Sequence, residues 1–247
     1  MLSQLIKIKE GAYAVRHPIY LTNSYIVRSS KGVYLLDSGV YASGSDMLWA
    51  LGKLNIGVSE VRGLLLTHWH NDHTGGASVI RSQCDGLVYY HEDAASHFNG
   101  KVAVGIAQKI FDLMPDIGPL SLIKGIVGQC PPRPIGADKY VKEGDVIDGL
   151  FHVWETPGHE VGHISFWFPE MGLLFSGDAI AVCGKRIWYM SRMLTKEVDQ
   201  AKSSVIRCLD SGAEYICPGH QRALLMTDKN TNDLRIHLNN NFKWPIY

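Results

Sequence analysis

The sequence predicts a chain of mixed α and β structure, on three observations. Short apolar runs (Val61 to Leu66, Val153 to Glu155, Leu173 to Phe175, Tyr215 to Cys217) each lead into a glycine-containing turn, the pattern of buried strands that end in loops. Between them lie segments whose apolar residues recur at helical spacing, as at Val198, Ala201, Val205 and Leu209. A hydrophobic content of 46% over 247 residues suffices for one large core. No internal repeat, low-complexity run or linker interrupts the chain, so residues 1–247 are read as a single domain.

The elements follow in order. Tyr25 to Val27 and Val33 to Leu36 read as a hairpin across Ser29-Ser30-Lys31-Gly32, and Asp37-Ser38-Gly39 ends its second strand. Ser45 to Leu54 reads as a helix with Ser43 or Ser45 as N-cap. Val61 to Leu66 is a buried strand, and Thr74 to Arg81 gives the first turns of the next helix, with small residues for close packing. Leu87 to Tyr90 is another strand. Ile164 to Phe175 forms a second hairpin, turning at Pro169-Glu170-Met171-Gly172, while Lys196 to Leu209 and Asp228 to Asn239 read as helices. Residues 94–140 differ: Phe111, Met114 and many aliphatic neighbours, broken by glycines and by Pro131-Pro132-Arg133-Pro134, suggest an insertion of short apolar helices and an extended proline-rich stretch.

The chemistry concentrates in Thr67-His68-Trp69-His70-Asn71-Asp72-His73-Thr74-Gly75-Gly76, where His68, His70, Asp72 and His73 offer four metal ligands within six residues. They fall on a strand-to-helix loop, which a rigid scaffold can hold. On a helix His68 and His70 would diverge, whereas in an extended segment residues i and i+2 point the same way and can face one ion. Asp72 and His73 follow the turn and are free to face another. Three later strand ends present the same residue types: Thr156-Pro157-Gly158-His159-Glu160-Val161-Gly162-His163, Phe175-Ser176-Gly177-Asp178, and Cys217-Pro218-Gly219-His220. Repeated presentation of ligands from strand ends suggests one site along one edge of a sheet.

These segments, in this order, resemble the metallo-β-lactamase superfamily, most closely its glyoxalase II-like and lactonase-like hydrolases, from about Asn23 to His220. The resemblance implies an α+β fold, a four-layer αββα sandwich with two metal ions at the edge of two sheets. It implies that His68, His70 and His159 bind the first ion, that Asp72, His73 and His220 bind the second, and that Asp178 bridges them. Asp37 and His163 are expected to support the ligands from behind. His17, His91, His97, His152 and His237 lie outside the motifs and are read as structural or surface residues.

The charges explain the carboxylates. Two dications about 3.5 Å apart repel by about 19 kcal/mol at an effective dielectric of about 20. Neutral imidazoles cannot offset that, whereas Asp72, Asp178 and a bridging hydroxide leave a net charge near +1, suited to a carbonyl oxygen that becomes anionic. The expected activity is therefore dinuclear hydrolysis of a carboxylic ester, lactone or thioester by a metal-bridging hydroxide, with Asp72 passing a proton to the leaving group. Zinc is the first expectation for the ions, with iron, manganese and cobalt as alternatives. A mononuclear iron persulfide dioxygenase, a zinc β-lactamase and a non-catalytic metal-site sensor are the competing readings. Asp178 argues against the zinc β-lactamases, which lack a bridging aspartate. Ala181 stands where acyl-homoserine lactonases carry a tyrosine, which weakens a strict lactonase reading, although Tyr189 could substitute in space. The chain ends 27 residues after His220, short of the C-terminal region that binds glutathione in glyoxalase II.

Composition fits a small-molecule enzyme. Acidic and basic residues balance at 24 each, and no Lys/Arg-rich run suggests nucleic acid. No apolar stretch approaches the ~20 residues of a membrane span, and the first residues lack a signal-peptide pattern. Five cysteines without a C-x-x-C pair point to reduced thiols and a cytoplasmic location. The expected partner is a small acyl substrate, contacted by Trp69, Ile180, Trp188, Tyr189, Phe111 and Met114. A homodimer contact is an alternative use of the insertion. If the insertion lines the site, Phe111→Ala and Met114→Ala will raise KM for long acyl substrates more than for short ones; steady-state kinetics showing an equal rise for both would remove it from the pocket.

Overall fold

The computed structural model describes residues 3–18, 21–99 and 133–239, with Met193 as backbone alone. It divides into two compact units, residues 1–140 and 141–247.

The first unit is built on a seven-stranded sheet in sequence order. Strands β1 (Gln4–Lys9), β2 (Ala12–Arg16), β3 (Asn23–Ser29) and β4 (Gly32–Leu36) form an antiparallel meander. Strands β5 (Val61–Leu65) and β6 (Leu87–His91) then continue it in parallel, and β7 (Lys139–Val141) is the last in the order. Parallel neighbours need crossovers, and these are helical. Helix α1 (Ser45–Lys53) links β4 to β5, and α2 (Asn71–Thr74) and α3 (Ala77–Gln83) link β5 to β6. A further short helix, α4 (Ala95–Phe98), follows β6. Met47, Ala50 and Leu51 of α1 and Ala77 and Ile80 of α3 join Ile26, Leu35, Leu64, Val88 and Phe98 in one apolar core.

The second unit carries a six-stranded sheet of β8 (Val146–Ile147), β9 (Phe151–Glu155), β10 (Ile164–Phe168), β11 (Leu173–Gly177), β14 (Tyr215–Pro218) and β15 (Leu224–Leu225). Strands β12 (Ala181–Cys183) and β13 (Arg186–Trp188) form a separate hairpin directly after Asp178. Helix α5 (Val198–Leu209) buries Ala201, Ser204, Val205, Cys208 and Leu209, the face that its helical spacing marks out. Helix α6 (Asp228–Asn239) buries Thr231, Leu234 and Leu238 at a similar period.

Strand direction decides where the loops emerge. Strands β4 and β5 are parallel neighbours, so Asp37 and the His68 loop leave the sheet at the same edge. In the second unit β11 and β14 are parallel neighbours. Strand β9 runs in their direction too, because β10 is antiparallel to both β9 and β11. The loops bearing His159, Asp178 and His220 therefore leave that sheet at one edge.

Several details depart from expectation. Helix α1 is preceded by Gly44 in the left-handed conformation (φ 61°) and no side chain caps it, so neither Ser43 nor Ser45 is the N-cap. The helix expected from Thr74 begins at Asn71, stops, and resumes at Ala77. Gly75 and Gly76 explain the break, since a Cβ there would lie 2.6 Å from the Val40 carbonyl oxygen and 2.7 Å from that of Ser38. Helix α5 starts at Val198 rather than Lys196, whose amide, like that of Glu197, donates instead to the Gly158 carbonyl. The β1–β2 hairpin and the β12–β13 hairpin carry no turn signal that the sequence reading recognised. Phe111, Met114 and most of the apolar insertion lie outside the described residues.

Gly158 carries the tightest packing of the ligand loops. Its φ is +123°, and a Cβ there would sit 2.3 Å from the Ala201 backbone nitrogen. Strained φ values cost roughly 1–3 kcal/mol even without a clash. Gly158→Ala should therefore destabilise the protein by about 2 kcal/mol or more, lowering the thermal midpoint by roughly 4–8 °C; an unshifted melting curve would contradict this packing.

Candidate metal centre

An imidazole can bind a metal through one nitrogen only when the other carries the proton, and a hydrogen-bond acceptor behind the ring fixes that choice. In the first unit that acceptor is Asp37. Its backbone adopts φ 57°, a left-handed conformation that Asp tolerates better than most residues. Its carboxylate accepts from the Thr67 amide at 2.9 Å and from Thr67 Oγ1 at 2.9 Å. It also faces His73 Nδ1 at 3.2 Å. A carboxylate only accepts, so His73 donates from Nδ1 and keeps its Nε2 lone pair.

The same carboxylate orders His68 at one remove. The single Thr67 hydroxyl proton goes to Asp37, so Thr67 Oγ1 must accept from His68 Nδ1, which lies 3.0 Å away. His68 thus also presents Nε2. The rings of His68 and His70 are 4.7 Å apart and those of His68 and His73 4.4 Å apart. His73 Nε2 stands 3.5 Å from Asp72 Oδ2, a separation at which two ligands can share an ion. His68, His70 and His73 are buried, whereas the Asp72 side chain is 14% exposed.

The second unit repeats the device with other acceptors. His159 Nδ1 donates to the Leu194 carbonyl oxygen, leaving Nε2 at 3.5 Å from Asp178 Oδ2. His220 Nε2 lies 3.3 Å from that same oxygen. Asp178 Oδ2 is therefore placed against two different imidazoles at once. The Asp178 amide donates to His163 Nε2 at 3.0 Å, which puts the His163 proton on Nδ1, 2.9 Å from Thr156 Oγ1. Thr156 Oγ1 in turn lies 2.8 Å from Ser165 Oγ, which donates to the Ser176 carbonyl. His163 thus spends Nε2 on the loop that carries Asp178 and Nδ1 on Thr156, which leads into the His159 loop. Behind His159, buried Glu160 pairs with Lys196.

The residues read as substrate contacts are buried or partly buried where they are described. Trp69 is buried in the core of its unit and stacks on His97 at 4.3 Å with 10° between the planes. Ile180 is buried beside Ala179, Val182 and Ile187. Tyr189 is buried in the same cluster, and partly buried Trp188 packs against it. Both rings stack on His237, and Tyr189 Oη lies 3.3 Å from His237 Nε2. His17 and His91 are buried as well, His17 edge-on to Tyr41 and His91 accepting from the Asp93 amide. Cys217 precedes His220 by three residues, but burial pushes its thiol far up, so it is a packing group and not a thiolate.

Sequence reading did not single out Thr67, Thr156, Ser165 or Leu194 as supports. A threonine immediately before the first ligand was the one available signal. The Leu194 contact is a backbone carbonyl 35 residues from His159, which no side-chain pattern reports.

The donor set fits a metal ion, and its ligand-type His and Asp side chains are grouped closely enough to hold one. Loss of such a support behind a ligand lowers metal affinity by about 10–100-fold. Asp37→Asn, which keeps the shape and tolerates the left-handed backbone, is expected to weaken metal binding within that range in a chelator competition. Affinity equal to the parent protein would show that Asp37 does not order the rings.

Comparison with known proteins identifies the family. Residues 18–220 match the metallo-beta-lactamase superfamily. The lactamase-like protein nscB of Aspergillus fumigatus is 28% identical, over 73% of this chain and 43% of its own. The atrochrysone carboxyl ACP thioesterase of Claviceps purpurea is 30% identical, over 64% of this chain and 40% of its own. The hydroxyacylglutathione hydrolase of Rhodospirillum rubrum is 30% identical, over 68% of this chain and 54% of its own. The chain thus spans about half or less of the length of these relatives. Among solved structures, the metallo-beta-lactamase family protein TTHA1429 of Thermus thermophilus superimposes with a TM-score of 0.67 at 23% identity, covering 94% of this chain and 80% of that one. The fold is α+β of the metallo-β-lactamase type, and the chain belongs to the metallo-beta-lactamase superfamily.

Proposed function

We propose that this protein hydrolyses a carboxylic ester, lactone or thioester with the help of two divalent metal ions. The observation that carries the reading is Asp178, whose Oδ2 stands 3.5 Å from His159 Nε2 and 3.3 Å from His220 Nε2. One oxygen set against two imidazoles is the arrangement of a ligand shared by two ions. In this reading His68, His70 and His159 hold one ion, Asp72, His73 and His220 hold the other, and Asp178 is common to both. Zinc is the first expectation, with iron, manganese and cobalt also suited to histidine and carboxylate donors.

Such ions, when bound, polarise a carbonyl and make water a nucleophile near neutral pH. The chain's own groups do the rest. Water oxygen bonds to the acyl carbon, the bond to the leaving oxygen or sulfur breaks, and the leaving group takes a proton. Asp72 is the group suited to carry that proton, because its side chain is partly exposed beside His73. Asp37 and His163 act at a distance by holding rings and loop. Relatives named as an ACP thioesterase and a hydroxyacylglutathione hydrolase support the acyl class.

Elemental analysis coupled to a panel of aryl esters, acyl lactones and acyl thioesters tests the reading. About two metal ions per chain and turnover of at least one class are expected, with Asp178→Ala losing both metal and activity. Full turnover with a single ion, or metal loading with no hydrolysis anywhere in the panel, would overturn it. Asp72→Asn, assayed at saturating metal so that a weakened second ion is still bound, should lower kcat by roughly 10²–10⁴-fold, the usual effect of a positioned proton carrier; an unchanged kcat removes that role.

A further inference from the structure

The second unit has a cleft of about 560 Å³ lined by Lys185, Arg186, Arg222, Lys229 and Asp233 among others, a volume in the range of small-molecule sites. Four cations face one carboxylate there, in a chain whose charges balance overall at 24 against 24. Elsewhere some exposed cations are paired, Lys7 with Glu10, Arg81 with Asp138, Arg207 with Glu143 and Arg235 with Asp210, and others such as Lys31 and Lys53 stand singly on the surface among the described residues. In the cleft Arg186 meets Asp233 at 3.5 Å, while Lys185, Arg222 and Lys229 make no ion pair among the described residues. A solvated basic face would be scattered, whereas these groups converge on a concavity, where like charges raise the local potential for an anion.

The cleft is tied to the ligand loops through the chain. Its Lys185 and Arg186 lie on the β12–β13 hairpin, which begins three residues after Asp178. Arg222 stands two residues after His220, so their Cα atoms are within about 7 Å. Lys229 comes from the first turn of α6, which packs on β13. The segments leaving two ligands thus become two walls of a site that attracts anions.

Resting on the hydrolase reading above, we infer that the substrate is an acyl thioester whose thiol is carried on a phosphorylated pantetheine arm, with the phosphate held in this cleft. A guanidinium grips phosphate oxygens in a two-pronged fashion and lysine adds point charge. The pantetheine arm between thiol and phosphate is long and uncharged, so thioester and phosphate would occupy separate places on the protein. The same phosphate occurs in coenzyme A and on the prosthetic arm of a carrier protein.

The test uses the metal-loaded full chain and one acyl group on three thiols: pantetheine, 4′-phosphopantetheine and coenzyme A. The phosphorylated thiols should exceed pantetheine in kcat/KM by tenfold or more, through KM, and the gap should narrow with added salt. The double variant Lys185→Ala/Lys229→Ala, altered at two exposed side chains, should lose most of that preference. Equal use of phosphopantetheine and coenzyme A supports recognition of the arm phosphate, whereas a preference confined to coenzyme A overturns it in favour of the nucleotide phosphates. Equal kcat/KM on all three thiols, or a preference that the double variant retains, overturns the inference. Calorimetric titration of coenzyme A separates the two claims. Binding that the double variant loses, with no thioester cleaved, keeps the cleft and rejects the hydrolase reading; no binding to the parent protein rejects the cleft.

Discussion

The site depends on a proton held on the far side of three of its imidazoles, those of His68, His73 and His159. A histidine with an unassigned proton divides itself between two tautomers and offers a metal the wrong nitrogen part of the time. Here Asp37 orders His73 directly and His68 through the Thr67 hydroxyl, while the Leu194 carbonyl orders His159. The arrangement works only because these rings are buried, so that water does not compete for their N–H groups. One carboxylate serving two rings also couples them: a change that disturbs Thr67 reaches both.

Sheet topology brings those acceptors to hand. A carboxylate at the end of β4 can stand behind rings on the loop after β5 because the two strands are parallel and adjacent. In the second sheet β11 and β14 are likewise parallel neighbours, and β9 runs the same way with antiparallel β10 between, so all three end at one edge. Function here lies on loops, and the sheets supply only a common edge, which is how one fold can host varied chemistry.

Much of this was legible in the sequence because it is local. The spacing of His68, His70, Asp72 and His73 implies an extended stretch followed by a turn, and α2 begins at Asn71. The face of α5 and the bounds of α6 follow from periodicity. What escaped was non-local. Helix α1 is started by a left-handed glycine, which competes with nearby serines that look like better caps. The Gly75-Gly76 break in the crossover answers to the carbonyls of Ser38 and Val40, more than thirty residues away. The Thr156–Ser165–Ser176 relay joins strand ends that no single window contains. The basic cleft is invisible to a net charge of zero, because charge balance over a chain says nothing of where the charges gather.

Gly158 has a further consequence. Its carbonyl takes the amides of both Lys196 and Glu197, and its bare α-carbon lies against Ala201. The His159 loop and the start of α5 are therefore mechanically one piece. Those two amides become exchangeable with solvent deuterium only when the loop lifts off the helix, so their protection is a direct gauge of how often the His159 arm of the centre opens.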